Sequence, residues 1–440
     1  MSTSFERFID IQELVDMLSK RLGLQDVSRL TCTNRKLHEL CMPLLFKDLT
    51  GAWSQESYSC RLSKLFSTTA GKVAFAGNVQ HIRSIVMEVD ELVYYTYSLP
   101  ASDDATFFTG YQSSSRPIVA MTRMTNLTQL TVSLAKSRRR PYTLPSVKKP
   151  HGGRVLAGVI AGLSRLERLS ITIHYGYGDW YGLCSHIMFS CPPTLVHLSL
   201  EFFEGRSKGP VQTLNSSGGE EEDSEDESEE EVVARNRQPL INLKTLKLHG
   251  MYRRYWDSGI DRLAFAHCPN IKELDLSNAI GVDTFDDIGK DIGTDCPKIE
   301  LVNCGVFDSE ARQELLAFRI MNSLPAQQVT RLEYTGLSFD SNGSTVTLAV
   351  QRHSTSLREI HIKGVDDFYK ISASTILKEC LNLEVLYLPC DQDEGHYITL
   401  TDALEYSWNS TKLRQLTLGI GDVSYLTSMA SSHISAVQVR

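Results

Sequence analysis

Apolar residues recur along this chain in one short form, apolar-x-x-apolar-x-apolar, whose last two positions alternate with polar ones. The form is clearest in Leu127-Thr-Gln-Leu130-Thr-Val132, Leu166-Glu-Arg-Leu169-Ser-Ile171, Leu195-Val-His-Leu198-Ser-Leu200 and Leu243-Lys-Thr-Leu246-Lys-Leu248. It continues from Ile271, Ile299, Val329, Leu357, Leu383 and Leu413, and weaker copies begin at Ile82 and Ile434. Period-2 alternation makes a short strand with its apolar side chains on one face. From Leu166 the steps are 29, 48, 28, 28, 30, 28, 26 and 30 residues, the long one holding the acidic tract, and the two steps before Leu166 are 45 and 39. Each step leaves room for a turn, a helix and a return loop. One such unit cannot bury its apolar face alone, whereas stacked units share a continuous core beneath a parallel sheet.

Three residues before the first apolar position stands a second column, Cys268, Cys296 and Cys380, with Cys191 one residue further out. A small, weakly polar thiol suits a tight turn where a helix meets the next strand, so packing is the expected role. The spacing and the cysteine column together resemble the leucine-rich-repeat family in its cysteine-containing subclass. That resemblance implies an α/β fold, a solenoid whose parallel sheet curves as a horseshoe over residues 81–440. A basic loop, 136–154, and an acidic insert, 205–238, interrupt it.

The N-terminal fifty residues follow another rhythm. Leu14, Met17, Leu18 and Leu22 have helical spacing. A second helix is expected over Asp26 to Cys32 with Asp26 as N-cap, and a third over Arg35 to Met42, closed by Pro43. Three short helices make a marginal core, so the segment needs a partner or a neighbouring surface. Glu13-Leu14, Asp26-Val27, Arg35-Lys36-Leu37 and Pro43-Leu44-Leu45-Phe46 resemble the F-box motif. The opening Leu-Pro of that motif is replaced by Asp10-Ile11, and its two tryptophan positions hold Leu37 and Phe46. An F-box followed directly by leucine-rich repeats is itself a family arrangement. It implies an all-α segment over 1–50 that docks on the Skp-family adaptor of a cullin-RING ubiquitin ligase. The contact would run through Ile11, Leu14, Leu18, Leu24, Val27, Leu37, Pro43, Leu44 and Phe46, with residues 51–80 a linking helix or cap. The competing reading is an N-terminal cap that shields the first repeat.

On the repeat pattern, side chains between the apolar strand positions face outward. That set contains Arg168, His197, Lys247, Glu273, Asp275, Arg331, Glu333, Glu359, His361 and Tyr387. Mixed charge of this kind fits a protein ligand better than nucleic acid. Loops after three successive strands carry Tyr175, Tyr177, Trp180, Tyr181, Phe202, Tyr252 and Trp256. Tyrosine, tryptophan and arginine are the types that dominate binding hot spots. Arg168, His197, Lys247, Tyr175, Tyr177, Trp180, Tyr252 and Trp256 are therefore the candidate target contacts. Local packing is the alternative for each.

Charge sharpens this picture. The net charge is −8, but Glu220 to Glu231 holds ten acids in twelve residues, so the remainder sums to −8 + 10 = +2. A nearly neutral folded part argues against a nucleic-acid binder. The acidic insert has the composition of a disordered segment, and Ser224 and Ser228 each have an acid three residues on, the pattern of acid-directed phosphorylation. Lys136 to Arg154 holds seven basic residues and no acid, which suits an import signal or a partner for the acidic insert.

Ten cysteines without a secretory leader suggest free thiols in a reducing compartment, cytoplasmic or nuclear. The longest weakly polar run, Val155 to Leu163, is too short for the ~20 residues a membrane span needs. No Gly-x-Ser-x-Gly elbow, phosphate loop, His-Glu-x-x-His or zinc-spaced cysteine pair occurs. The expectation is a non-enzymatic binding protein with no cofactor and no metal, whose partners are the adaptor and a target protein.

Overall fold

The computed structural model describes residues 17, 21–49, 73–74, 77–90, 123–135, 152–174, 183–203, 238–250, 265–277, 285–305, 316–335, 344–363, 376–388, 398–399, 408–418 and 420–421. The chain forms two compact units, Met1–Tyr177 with Ser190–Leu195, and Gly178–Phe189 with Val196–Arg440.

The first unit opens with helices α1 (Leu24–Thr31) and α2 (Arg35–Lys47), which run into a two-residue strand, β1 (Asp48–Leu49). A single 3-10 turn, Val79–His81, precedes β2 (Ser84–Asp90). Then come β3 (Gln129–Ala135), α3 (Gly152–Ala161) and β4 (Arg168–His174). The four strands lie side by side in sequence order, each parallel to the next. Their register aligns Leu49 with Ile85, Ile85 with Leu130 and Leu130 with Leu169.

Two helix boundaries depart from the sequence expectation. Helix α1 starts at Leu24 with Gly23 at its N-cap, because the Gly23 carbonyl accepts from the Val27 N–H at 3.0 Å. Asp26 instead lies in the first turn, where its charge favours the helix N-terminus and meets Arg29 at 3.3 Å. Helix α2 does not stop at Met42 but passes through Pro43 to Lys47. The proline forgoes one backbone bond, to Glu39. Burial of Cys41 before it and Phe46 after it holds the helix together across that gap. At the other end the Asn34 side chain caps the helix, accepting from the Lys36 N–H at 2.7 Å.

The second unit comprises α4 (Leu183–Ser190), β5 (His197–Phe203), β6 (Thr245–His249), β7 (Glu273–Ser277), α5 (Phe285–Asp295), β8 (Leu301–Gly305) and α6 (Leu316–Ser323). Beyond these lie β9 (Arg331–Thr335), α7 (Ser344–His353), β10 (Glu359–Lys363), β11 (Val385–Leu388), β12 (Ile398–Thr399), β13 (Gln415–Leu418) and β14 (Ile420–Gly421). Strands β5 to β11 and then β13 form an open parallel sheet in sequence order, while β12 and β14 pair separately. Neighbouring parallel strands require a crossover, here carrying a helix between β7 and β8, β8 and β9, and β9 and β10. The class is α/β.

Register turns the sequence pattern into a core. Leu246, Leu274, Val302, Leu332, Ile360, Leu386 and Leu416 occupy one aligned column. All but Leu416 are wholly buried. A one-residue slip of any strand would turn its column residue to solvent. Each such side chain is worth roughly 1.5–3 kcal/mol of burial. On the helical side α6 buries Leu316, Ala317, Phe318, Ile320 and Met321. Helix α5 approaches it closely through Gly293, where an added Cβ would lie 2.7 Å from the Ser323 Cβ.

Candidate partner-binding faces

In the N-terminal helical pair, Val27, Leu37 and Cys41 form a small cluster, with Leu22, Leu30, Leu40 and Leu45 packed half-buried around it. Phe46 is buried nearby, whereas Pro43 and Leu44 are half-buried. Of the nine residues expected to meet an adaptor, Val27 and Leu37 thus serve the interior of this pair, and Phe46 is buried as well. Leu24 opens α1, and only its backbone is described. Ile11, Leu14 and Leu18 lie outside the described residues. Met17, from the same apolar series, is 57 % exposed. The pair is tied to the sheet by its chain: the Arg83 N–H donates to the Lys47 carbonyl at 2.9 Å, where β1 joins β2.

The outward face of the second unit is a lattice of paired charges. Lys272 Nζ meets Glu300 Oε1 at 2.7 Å, and Arg331 Nη1 meets Glu359 Oε2 at 3.3 Å. Arg331 also pairs with Glu333. On β10 and β11, His361 and Tyr387 rings lie 5.9 Å apart, and Lys363 Nζ sits 5.4 Å from the Tyr387 ring centre. Burial pushes the His361 imidazole below its usual range; Glu333 and Glu359 pull the other way and Arg331 and Lys363 add to the lowering.

One member of the expected outward set does not face solvent. Asp275 is 8 % exposed, with His249 Nε2 at 2.9 Å from its Oδ2 and the Ser277 N–H donating to Oδ1 at 3.1 Å. Burial raises its carboxyl, but His249 and Ser277 more than offset this, and the net direction is down. A carboxylate with two local partners can sit in a half-desolvated row that an unpaired one could not occupy.

His197 and Lys247 are half-buried on β5 and β6, Lys247 in register with Ser199 and Asp275. Arg168 is exposed on β4, in the first unit. Tyr175, Tyr177, Trp180, Tyr181, Tyr252 and Trp256 lie outside the described residues, as do Ser224 and Ser228 and both the basic loop up to Gly152 and the acidic tract. Phe202, expected in a loop after the strand, lies within β5 itself.

The cysteine column lies inside. Cys268, Cys296 and Cys380 are fully buried and Cys191 nearly so. The Cys296 thiol is 3.4 Å from both the Phe265 and the Cys268 carbonyls, and donates to them. Burial, with Glu379 adding to it, pushes the Cys380 thiol up to about 12, and burial raises Cys191 and Cys296 as well. These three stay protonated at neutral pH, which suits donors and not nucleophiles. Ser410 occupies the same column before Leu413, and its hydroxyl bonds the Cys380 carbonyl at 2.7 Å. At Cys296 and Ser410 the column thus places a small side chain that donates to the preceding turn.

Two devices escaped the sequence reading. Immediately before the first apolar position, a polar side chain bonds a carbonyl about one repeat back. Asn270 reaches Ile241, Ser356 reaches Val329, Asn382 reaches Thr355 and Thr194 reaches Leu166, at 2.6 to 2.8 Å. Recurrence at one offset was the available signal. His353 was invisible, because it ends α7 without any motif. Its ring is fully buried, Nε2 lies 2.8 Å from the Met321 carbonyl, and Nδ1 accepts from the Gln328 and Val329 N–H groups. Those contacts fix the neutral Nε2–H tautomer.

Among the described residues, no three His, Cys, Asp or Glu side chains are placed to hold a metal ion, and no helix is long and apolar enough to cross a membrane. The arrangement offers surfaces on which a partner can be held, on the N-terminal helices and on the sheet. No protein-family model matches the chain, and no curated protein matches it either.

Proposed function

We propose that this chain is the substrate-recognition subunit of an SCF-type cullin-RING ubiquitin ligase. Its F-box-like helices dock on the Skp-family adaptor, and a leucine-rich-repeat solenoid of the cysteine-containing type holds a target protein. The protein supplies no reacting group; it acts by proximity, turning ubiquitin transfer from a bimolecular encounter into a positioned one. The observation that carries the reading is the helical pair. Its core is three residues, and Leu22, Leu30, Leu40, Leu44 and Leu45 remain half-buried around it. So small a core gains most from a partner that covers the rest. The in-register apolar column and the donors at Cys296 and Ser410 support the repeat part of the proposal.

A second reading has its own support. Because α2 continues into β1, which pairs with β2, the helices also fit a cap on the edge of the sheet of a protein-binding scaffold without any ligase role. Pull-down with the Skp-family adaptor separates the two. The full chain is expected to capture it, and Leu14→Asp with Leu44→Asp to abolish capture while the melting of the second unit stays unchanged. Equal capture by the double variant, or none by the unaltered chain, leaves the cap.

A further inference from the structure

A depression of about 220 Å³ opens on the outward face of β7 to β10. Its composition is unusual at one position. In the aligned row of first strand residues, β7, β9 and β10 carry Glu273, Arg331 and Glu359, but β8 carries Leu301. Leu301 is half-buried, and with Thr330 it gives the depression an apolar patch within a charged rim.

The rim charges are unequally satisfied. Glu300 has Lys272, Glu359 has Arg331, and Glu273 accepts from the Thr245 hydroxyl at 3.2 Å. Every carboxylate therefore has a donor. The cations do not all have acceptors. Arg358 is exposed and its guanidinium has no partner among the described residues, and Arg331 keeps a buried Nε without an acceptor. The unmet demand at this place is for an anion beside an apolar group.

We propose that this depression is the anchor site for a segment of a partner protein in which a branched aliphatic side chain stands next to a carboxylate. The aliphatic group lies on Leu301 and the Thr330 methyl. The carboxylate takes the Arg358 guanidinium, which can bind it through two parallel N–H donors. Each rim carboxylate already has a donor, whereas Arg358 has no acceptor among the described residues, so this guanidinium favours the acidic class. The inference rests on the second unit being the partner-binding part of the chain, and it assigns to that part residues outside the candidate contacts Arg168, His197 and Lys247.

The test is fluorescence anisotropy of the full chain with a labelled peptide carrying Glu-Glu-Val-Val, and with its Lys-Lys-Val-Val counterpart. The acidic peptide is expected to bind, and to weaken by roughly tenfold or more on Arg358→Glu and on Leu301→Asp. Lys290→Glu, the same charge change on an exposed residue of α5, is expected to leave binding as it was. Thermal melts confirm that each variant is folded; Arg358 is exposed, so its variant stays informative if the Leu301 one does not fold. No binding at ~1 mM peptide, equal binding to the Arg358 variant, or equal binding of the lysine peptide overturns the proposal. Binding that appears only after deletion of residues 218–231 also overturns it, assigning the depression to the chain's own acidic segment. Adaptor capture is expected to be indifferent to Arg358→Glu. Loss of adaptor binding with peptide binding intact thus sinks the ligase reading alone.

Discussion

Protonation of His353 is expected to unfasten the joint between α7 and the turn after α6. The ring is fully buried and satisfies three backbone groups: it donates to the Met321 carbonyl and accepts from the Gln328 and Val329 N–H groups at 3.2 and 3.3 Å. A second proton, on Nδ1, would turn that acceptor into a donor facing two backbone N–H groups. In an unfolded chain the imidazole titrates near ~6.5. In the fold, burial holds it below its ordinary value, the Met321 carbonyl opposes that, and Arg352 adds to the lowering.

A histidine whose folded pKa is depressed contributes stability that is fully present above the unfolded value. That contribution is lost as pH falls below it, because the unfolded chain takes up the proton first. The limiting slope for one such group is ~1.4 kcal/mol per pH unit. Urea unfolding at several pH values from 8 downward, on the unaltered chain and on His353→Gln, reads the difference. Other groups titrate in both proteins, so the quantity of interest is the difference of slopes below pH ~6.5. The glutamine variant is expected to be the flatter by up to that limit. Hydrogen exchange at the Val329 amide gives the local version, with protection falling on acidification only where His353 is present. Parallel pH dependences in the two proteins would refute the reasoning. His353→Ala serves a different purpose: it strands two buried donors and an acceptor, at about 1–3 kcal/mol each, and is expected to destabilise at every pH.

Two further outcomes follow from packing. Gly293→Ala would place a Cβ 2.7 Å from Ser323 Cβ and 3.0 Å from the Ile320 carbonyl, so a loss of about 1–3 kcal/mol is expected in thermal melts. Gly158→Ala, in α3 with nothing within 4 Å, is the matched control and is expected to stabilise by about 0.5–1 kcal/mol. At Cys296 the donor matters more than the sulfur, so Cys296→Ser is expected to lie within about 1 kcal/mol of the parent in urea melts. Cys296→Val removes the donor from the Phe265 and Cys268 carbonyls and is expected to cost about 1–3 kcal/mol. Equal losses for the two would mean that the thiol serves only as volume.

The strands were legible because their signal is local. Leu246-Lys-Leu248 or Ile360-His-Ile362 states its own alternation, and no distant residue can change which side of the pleat a side chain takes. The near-constant spacing of these segments favours units that stack on their sequence neighbours, the order that the register shows. The cysteine column was legible as a column, but its chemistry was not. That the thiol is a donor to the preceding turn, and that Ser410 belongs with it, depends on a carbonyl about thirty residues away.

Tertiary structure alone decided the rest. Pro43 reads as a helix end until Phe46 is seen to be buried on the far side of it. Asp275 reads as a solvent-facing acid until His249 and Ser277 are found beside it, since burial of a charge is settled by partners and not by periodicity. His353 and the Leu301–Arg358 depression carry no sequence signal at all, because each is assembled from segments distant in sequence that the fold brings side by side. The sequence determined which residues point inward and in what order the strands lie. Which outward charges remain unpaired, and so where an anion can be held, is a property of neighbours across strands that only the folded chain defines.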